Sequence, residues 1–569
     1  MSTPPPPSQP PSGGFGAPPP PPGRQPSGGF GAPPPPDQPP QPPSVPPAPP
    51  QQPPGGYGYP QQAAGPPPFG PPTAPMYAPQ APAAPGGGNN DKRTQLMIVG
   101  AALLAIVLII GSGFWYVSGD SGGGTQNTAD GGPATNPGGD KGQAGAGGTE
   151  KVPAKTKSKT LVNVPLPQPE EQVIVEGSWI TDSTYIKSDV AKVVGYNLVD
   201  GGKKWEIPLP AQICGATKHV SENKSAILFQ EALPTPEKKY QPCTHVGVID
   251  LETGKLLWSA AAKSATGGDK NVTFAEVTVS GQTVAAGGLS GGAAWNLTDG
   301  KSLWQPKVDG EGCYDVGYAG GEALAVIRRC GRSPNQTLHA QSLDPATGAP
   351  KASYKLSPGI EYAGIISTKP LVVAANVGRT AKNATNVSDL FVIDDAGQLK
   401  SRISLSSGNF GPDCPANDVE KCVFMVVGNG KVYLPSYEHQ GKDSSGARTN
   451  ELLSFDLETG KQTNESAPAG ERYTIFPLRM DGSNIIAYKN PPYDKGGQIV
   501  SIDGTTMKET LLMENPGDKT SQRAETRTTP TGAEYRYHNG KLFISRVYAR
   551  KTSSVGDDPE YLFVSFTTS

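Results

Sequence analysis

The segment VGVIDLETGKLLW, Val246–Trp258, consists of an apolar stretch, a polar turn and a second stretch that ends in tryptophan. Its β-branched and apolar residues predict a strand on each side of the turn. The side chain of Asp250 can accept a hydrogen bond from the backbone two residues on, and Gly254 can take a positive φ. The segment therefore predicts two antiparallel strands joined by a tight turn.

The same pattern recurs along the chain. Its copies begin, in order, as VVGYNLVDGGKKWEI (Val193), VGVIDLETGKLLW (Val246), GAAWNLTDGKSLW (Gly292), LHAQSLDPATGAPKASY (Leu338), LFVIDDAGQLKSRI (Leu390), LLSFDLETGKQTN (Leu452) and IVSIDGTTMKETLL (Ile499). The predicted turn residues are Asp200, Asp250, Asn296, Asp344, Asp394, Asp456 and Asp503, with turn glycines Gly254, Gly300, Gly348 and Gly460. A period of about 50 residues is typical of the four-stranded blades of a β-propeller.

The two ends of this region decide between seven and eight blades. Tyr561–Phe566, YLFVSF, resembles a third strand after which the chain stops. Leu161–Pro167, LVNVPLP, resembles the fourth-strand segment Trp205–Pro210, WEIPLP. If the early segment completes the last blade, the ring closes and no incomplete blade is left with an open edge. We therefore predict an all-β, eight-bladed propeller of four-stranded antiparallel blades over residues 160–569, with seven blades as the alternative.

The D-L-E-T-G-K-x-x-W phrase resembles the repeat of the pyrroloquinoline-quinone (PQQ)-type propeller superfamily, which includes quinoprotein dehydrogenases and the BamB assembly lipoprotein. The resemblance implies that the terminal tryptophans, Trp205, Trp258 and Trp304, dock between adjacent blades. Later copies have Ala352 or Asn464 at this place. One fold of this kind serves many functions, so the resemblance predicts the fold and does not predict an activity.

All six cysteines lie in the propeller region, which is consistent with an oxidising compartment. They lack the paired C-x-x-C spacing of a zinc site, and six cysteines permit 15 pairings in general. The repeat pattern favours pairing between neighbours along the chain. The predicted disulfides are Cys214–Cys243, Cys313–Cys330 and Cys414–Cys422.

The chain before the propeller divides into three predicted parts. Residues 1–93 are rich in proline and glycine and predict a disordered arm. Residues 94–117 contain an uncharged apolar run long enough to cross a bilayer, and residues 118–159 predict a flexible Gly-rich stalk. Lys92 and Arg93 precede the apolar run, so the positive-inside rule places the arm in the cytoplasm and the propeller outside the plasma membrane.

The sequence shows no convergent chemical site, so we predict no catalytic residue, no cofactor and no metal. A formal net charge of −2 gives no electrostatic footprint for nucleic acid. We expect a non-catalytic binding or scaffold module whose propeller face binds an unidentified envelope or extracellular partner. A transmembrane sensor, with an arm that recruits a proline-recognising protein, is the alternative. A quinone-dependent dehydrogenase is less favoured, because its vicinal cysteine pair and acidic calcium ligands are not recognisable.

Overall fold

The computed structural model describes residues 148–332, 335–381, 387–406, 410–415, 418–442, 446–551 and 559–569. The predicted arm (1–93), the predicted span (94–117) and most of the predicted stalk lie outside these residues. Within the described ranges, none of the helices has the length and apolar character needed to cross a membrane.

Nearly half of the described residues lie in β-strands of up to eight residues, which are separated by turns and loops. In chain order the strands are β1 (Lys159–Pro165), β2 (Val173–Ile174), β3 (Ser178–Ile180), β4 (Thr184–Asp189), β5 (Lys192–Asn197), β6 (Lys203–Pro208), β7 (Ile213–Ala216), β8 (Lys224–Gln230), β9 (Cys243–Asp250), β10 (Lys255–Ala260), β11 (Glu276–Ser280), β12 (Thr283–Gly287), β13 (Ala293–Asn296), β14 (Ser302–Trp304), β15 (Tyr314–Ala319), β16 (Leu324–Cys330), β17 (Thr337–Leu343), β18 (Pro350–Lys355), β19 (Ala363–Thr368), β20 (Leu371–Ala375), β21 (Asp389–Ile393), β22 (Leu399–Ser404), β23 (Val426–Gly428), β24 (Lys431–Pro435), β25 (His439–Gln440), β26 (Arg448–Thr449), β27 (Glu451–Asp456), β28 (Gln462–Pro468), β29 (Thr474–Asp481), β30 (Asn484–Asn490), β31 (Gln498–Asp503), β32 (Glu509–Glu514), β33 (Ala533–His538), β34 (Lys541–Arg546), β35 (Tyr548–Ala549) and β36 (Tyr561–Thr567).

The strands form eight four-stranded antiparallel sheets, which confirms the eight-bladed prediction. Blades 1 to 5 are β3–β6, β7–β10, β11–β14, β15–β18 and β19–β22; blade 6 is β23, β24, β27 and β28; blade 7 is β29–β32; and blade 8 is β33, β34, β36 and β1. Two further pairs form two-stranded ribbons: β2 with β35, and β25 with β26 in the connection between β24 and β27 of blade 6. One α-helix, α1 (Lys519–Thr526), and two 3-10 turns, Val377–Arg379 and Pro530–Gly532, complete the described elements.

The ring closes as the sequence predicts. Strand β1 is the fourth strand of blade 8 and pairs with β36, so that Thr160 lies opposite Phe566 and Pro165 opposite Tyr561. Aromatic side chains fill the interface that this closure creates between blades 8 and 1. Tyr185 of blade 1 stacks on Phe543 of blade 8 with ring centroids 3.9 Å apart, and both are fully buried.

Every copy of the repeat forms the third strand, the turn and the fourth strand of a blade. The side-chain oxygen of the turn residue accepts hydrogen bonds from backbone N–H groups two to four residues on at Asp250, Asn296, Asp344, Asp394, Asp456 and Asp503. In the first copy Asn197 has this role, since it accepts from Val199 N at 2.9 Å. The predicted residue, Asp200, bonds only Gly202 within the turn.

The turn glycines and the tryptophans meet between blades. Gly254, Gly300, Gly348 and Gly460 all have positive φ, as does Met507 at the matching place in blade 7. Trp205, Trp258 and Trp304 each lie against the turn glycine of the next blade, Gly254, Gly300 and Gly348 respectively. Val162 of β1 occupies the same position against Gly201 of blade 1. In blades 4 and 5, where the tryptophan is replaced, the backbone of Ser353 and Arg402 approaches Gly397 and Gly460 instead.

Residues 148–158, which the sequence assigns to the stalk, lie against blades 7 and 8. Glu150 Oε1 is 2.5 Å from Arg479 Nη2, and its Oε2 accepts from Asn539 N at 2.9 Å. Glu150 N donates to Asp481. The predicted boundary at residue 159 is therefore wrong, because the carboxylate of Glu150 finds polar partners that lie more than 300 residues away in the sequence.

Candidate functional site

The two ends of the propeller differ in the length of their connections. The connections between the first and second strands, and between the third and fourth, lie at one end, which we call the turn face, and most of them are short. The connections between the second and third strands, and from each blade to the next, lie at the other end, the loop face, and most of them are longer. Residues 148–153 reach the propeller on the turn face, near Asp481 and Gly540.

The three disulfides lie at the loop face. The structure contains Cys214–Cys243 in blade 2, Cys313–Cys330 in blade 4 and Cys414–Cys422 in the connection from blade 5 to blade 6. These are the predicted pairs. Each disulfide joins the ends of two connections or lies within one, so all three covalent crosslinks stabilise the loop face.

The connection that holds Cys414–Cys422 enters the centre of the ring. We call its residues 418–424 the axial segment. The first strands of the blades surround the centre and contact their neighbours. Val419 N and Glu420 N donate to Glu276 Oε2 of blade 3 at 2.8 and 3.1 Å. Val419 O accepts from Ile365 N of blade 5 at 2.6 Å.

Glu420 links the axial segment to two further blades. Its Oε1 lies 2.5 Å from His219 Nε2 of blade 2 and accepts from Gly320 N of blade 4 at 3.0 Å. Burial alone would raise the pKa of Glu420, but the charge of His219 and the hydrogen bond to it lower the pKa to about 2. Glu420 is therefore ionised and held in place.

The remaining contacts of the axial segment reach blades 1 and 7. Lys421 Nζ is 3.0 Å from Glu176 Oε2, which immediately precedes blade 1. The Phe424 ring lies 4.7 Å from the Phe476 ring of blade 7. The axial segment thus contacts blades 2, 3, 4, 5 and 7 and the residue that precedes blade 1.

Glu276 is a buried carboxyl group near the centre of the ring, and only one of its two oxygens is hydrogen-bonded to a residue that the structure describes. It is 5% exposed, and its Oε1 has no hydrogen-bond partner among the described residues. Burial raises the pKa of Glu276 well above the ordinary value, and the nearby charge of Asp418 adds to the increase. Burial therefore disfavours the ionised form of this carboxyl group.

A second buried ion pair joins the first and last blades. Lys187 Nζ is 2.8 Å from Glu534 Oε2 and donates to Val175 O at 2.6 Å. Burial lowers the pKa of Lys187, and the charge of Glu534 opposes that decrease. Since Lys187 is fully buried, removal of Glu534 would leave an unpaired charge between blades.

Most large apolar side chains that remain exposed lie on the loop face. They are Leu233, Tyr240, Leu289, Val308, Tyr362, Val423, Tyr493 and Tyr548. Tyr240 and Tyr493 are the most exposed, at 88% and 84%. The other exposed apolar side chains, such as Val199, lie on strands or on the turn face. Tyrosine is enriched in binding hot spots, because it provides a large rigid contact with a polar end.

The central region of the propeller matches a known family. Residues 243–506 match the family model of the outer membrane protein assembly factor BamB. The BamB-like region extends from β9 of blade 2 to the turn after β31 of blade 7. No curated protein matches the sequence.

Many solved structures resemble the chain at low identity. The WD40 repeats of RRP9 cover 74% of this chain and 99% of their own, with 7% identity and a TM-score of 0.33. A crystal structure of the eukaryotic initiation factor covers 70% of this chain and 92% of its own, with 11% identity and a TM-score of 0.37. The dihydro-heme d1 dehydrogenase NirN in complex with DHE covers 64% and 81%, with 12% identity and a TM-score of 0.29.

The residues at the centre of the ring do not fit a quinone with its calcium ion. Calcium requires six to eight oxygen ligands, several of them ionised carboxylates. Here Glu420 is paired with His219, Glu176 is paired with Lys421, and burial raises the pKa of Glu276, which disfavours its ionised form. Among the residues that the structure describes, there is also no group of three or more His, Cys, Asp or Glu side chains placed to hold a metal ion.

The sequence contains two signals for the axial segment that the repeat analysis did not use. The interval from Asp394 to Asp456 is the longest between copies, and the closely spaced Cys414 and Cys422 lie inside it. Together they indicate an insertion closed by a disulfide. Where this insertion lies could not be predicted, because its contacts depend on blades that are distant in the sequence.

Proposed function

We propose that this protein is a membrane-anchored, extracytoplasmic propeller that acts as a non-catalytic binding or scaffold module of the cell envelope. In this proposal the loop face is the recognition surface. The observation that carries it is the concentration of exposed tyrosine and aliphatic side chains on that face, above connections fixed by disulfides. A set of exposed apolar side chains on one rigid face is typical of a protein–protein interaction site.

Two further features support a binding role over catalysis. The axial segment lies among the first strands of the blades, and Glu420 and Glu176 there are paired with His219 and Lys421. The family model that matches is named for an assembly factor.

Anchoring and orientation are proposed from the sequence. The apolar run at 94–117 and the preceding Lys92 and Arg93 favour one membrane span with the arm in the cytoplasm. Disulfides in the propeller are consistent with an oxidising compartment on the other side.

Site-specific crosslinking in cells tests the recognition surface. A photo-activated amino acid is placed in the full chain at Tyr240, Tyr362 or Tyr493, and the control position is Val199 on the turn face, which is 82% exposed. We expect one covalent adduct of the same mass from at least two loop-face positions and none from Val199. Absence of an adduct from all three tyrosine positions, or the same adduct from Val199, would contradict the proposal.

A further inference from the structure

A small polar site on the turn face holds two residues of the segment that precedes β1. Thr149 Oγ1 donates to Asp481 Oδ1 at 2.6 Å, and Glu150 N donates to Asp481 Oδ2 at 2.9 Å. The Glu150 carboxylate lies 2.5 Å from Arg479 Nη2, and its second oxygen accepts from Asn539 N at 2.9 Å. We call Arg479, Asp481 and Asn539 the turn-face cradle.

The blades build the turn-face cradle without help from the segment that it holds. Arg479 and Asp481 belong to β29, the first strand of blade 7. Asn539 lies in the tight turn between β33 and β34 of blade 8 and has a positive φ. Backbone pairing of β29 with β30, and of β33 with β34, fixes both hairpins. We therefore expect the cradle to keep its shape when the segment leaves it.

The segment enters the cradle as an extended peptide would. The side chain of Glu150 is only 2% exposed, whereas residues 151–152 beside it are exposed. A Cβ at Gly148 would collide with Asp481 Oδ2, so the backbone itself approaches the cradle closely. Burial raises the pKa of Asp481, but the hydrogen bonds from Thr149 Oγ1 and Glu150 N lower it below the ordinary value. The cradle thus binds a hydroxyl, a backbone amide and a carboxylate together.

The charges around the cradle favour glutamate at the second position. The Glu150 carboxylate accepts from a guanidinium and from a backbone N–H, and hydrogen bonds of this charge-assisted kind are strong. His538 Nδ1 lies 3.7 Å from Glu150 Oε1 on the same side. Arg479 Nη1 is also 3.6 Å from Asp481 Oδ1, which holds the guanidinium in the site. Glutamine would keep the shape of the side chain and lose its charge.

We propose that the turn-face cradle is a binding site for an extended peptide with a hydroxyl residue followed by glutamate, and that Thr149 and Glu150 occupy it in cis as a releasable latch. Two side chains and one backbone amide make these contacts, so a matching segment of another protein can replace them in trans. The proposal goes beyond the proposed function, because it assigns a second site at the end of the ring that does not carry the loop face.

Binding of a synthetic peptide to the full chain in detergent micelles tests the proposal. The probe is acetyl-GTEKVPAK, the sequence of residues 148–155, with a fluorophore at its C-terminal end, and fluorescence anisotropy measures its binding. The variant T149A/E150A vacates the cradle. Addition of R479Q to that variant removes the cation of the cradle. Addition of R379Q is the matched control, because Arg379 is exposed and pairs with Glu361 in another blade. Circular dichroism and thermal unfolding show whether each variant is folded.

We expect T149A/E150A to bind the peptide about tenfold or more tightly than the wild-type chain, because the cis segment competes at an effective concentration of about millimolar. Addition of R379Q should leave this binding unchanged. Addition of R479Q, or glutamine in place of the glutamate of the peptide, should weaken it about tenfold or more, because a hydrogen bond to a charged group is lost.

Equal binding by T149A/E150A and the wild-type chain would overturn the proposal, as would equal binding of the glutamate and glutamine peptides or no effect of R479Q. The glutamine peptide needs no further variant and decides the question if R479Q does not fold. No binding to T149A/E150A would also overturn the proposal and would show that the segment is a fixed structural anchor. Crosslinking from Tyr240 and Tyr493 is independent of these outcomes and still reports on the proposed function.

Discussion

Substitution of Glu276 by glutamine tests how the axial segment is held. Glu276 is buried, its Oε2 accepts from Val419 N and Glu420 N, and its Oε1 has no partner among the described residues. Glutamine keeps the shape and the accepting oxygen, and it cannot ionise. Because burial raises the pKa of Glu276 in the folded state, the folded protein binds a proton that the unfolded chain releases above about pH 4.3.

The sign and size of the effect follow from proton linkage. A carboxyl group with a raised folded-state pKa makes the free energy of unfolding decrease as the pH rises from the unfolded to the folded pKa. The decrease is about 1.4 kcal/mol for each pH unit in that interval. E276Q removes this term, so we expect equal stability of the two proteins near pH 4 and a more stable variant near pH 8.

The measurement is the thermal unfolding of both full-length proteins from pH 4 to pH 8, followed by tryptophan fluorescence. Trp179 and Trp295 are buried in blade cores and report on unfolding. The difference between the two proteins isolates Glu276 from other titrating groups. A variant that is less stable by the same amount at every pH would refute the reasoning, since Glu276 would then contribute only through its hydrogen bonds.

Three further substitutions test the blades and the crosslink. Phe543→Ala should lower the free energy of unfolding by about 3–5 kcal/mol, because the ring is buried at the closure of blades 8 and 1; urea unfolding measures it. Gly300→Ala should destabilise more than Gly281→Ala, because both have positive φ but only Gly300 faces a tryptophan ring 2.8 Å from the added Cβ; equal losses would contradict interblade docking. Cys414→Ser with Cys422→Ser should cost about 2.5 kcal/mol in the same assay, from the closure entropy of the loop with sequence separation 8.

Much of the fold follows from local sequence. The turn at Asp250 requires a side-chain acceptor for the backbone N–H two residues on and a glycine four residues on. Because both requirements are local, the sequence pattern predicts the hairpin without knowledge of any tertiary contact. Repetition of that hairpin predicts the ring. The closure by β1 was predictable because YLFVSF lacks a partner strand and LVNVPLP resembles one.

Two details differ from the prediction for different reasons. The copy that begins at Val193 predicts a turn residue at Asp200, whereas the local backbone places Asn197 where the other copies have it. The glycine-rich sequence around Glu150 predicts a stalk, whereas Glu150 contacts Arg479 and Asn539, which are distant in the sequence. The ion pairs of Glu560 also depend on tertiary structure, since only the fold brings Arg527 and Arg546 to the same carboxylate.

Peptide mapping of the non-reduced full chain, isolated from intact membranes with its thiols blocked beforehand, tests whether the protein is an extracytoplasmic ring whose loop face is fixed by three disulfides. We expect linked peptides for Cys214 with Cys243, Cys313 with Cys330 and Cys414 with Cys422, and no blocked thiol at any of them. Recovery of Cys414 and Cys422 as blocked free thiols would contradict it.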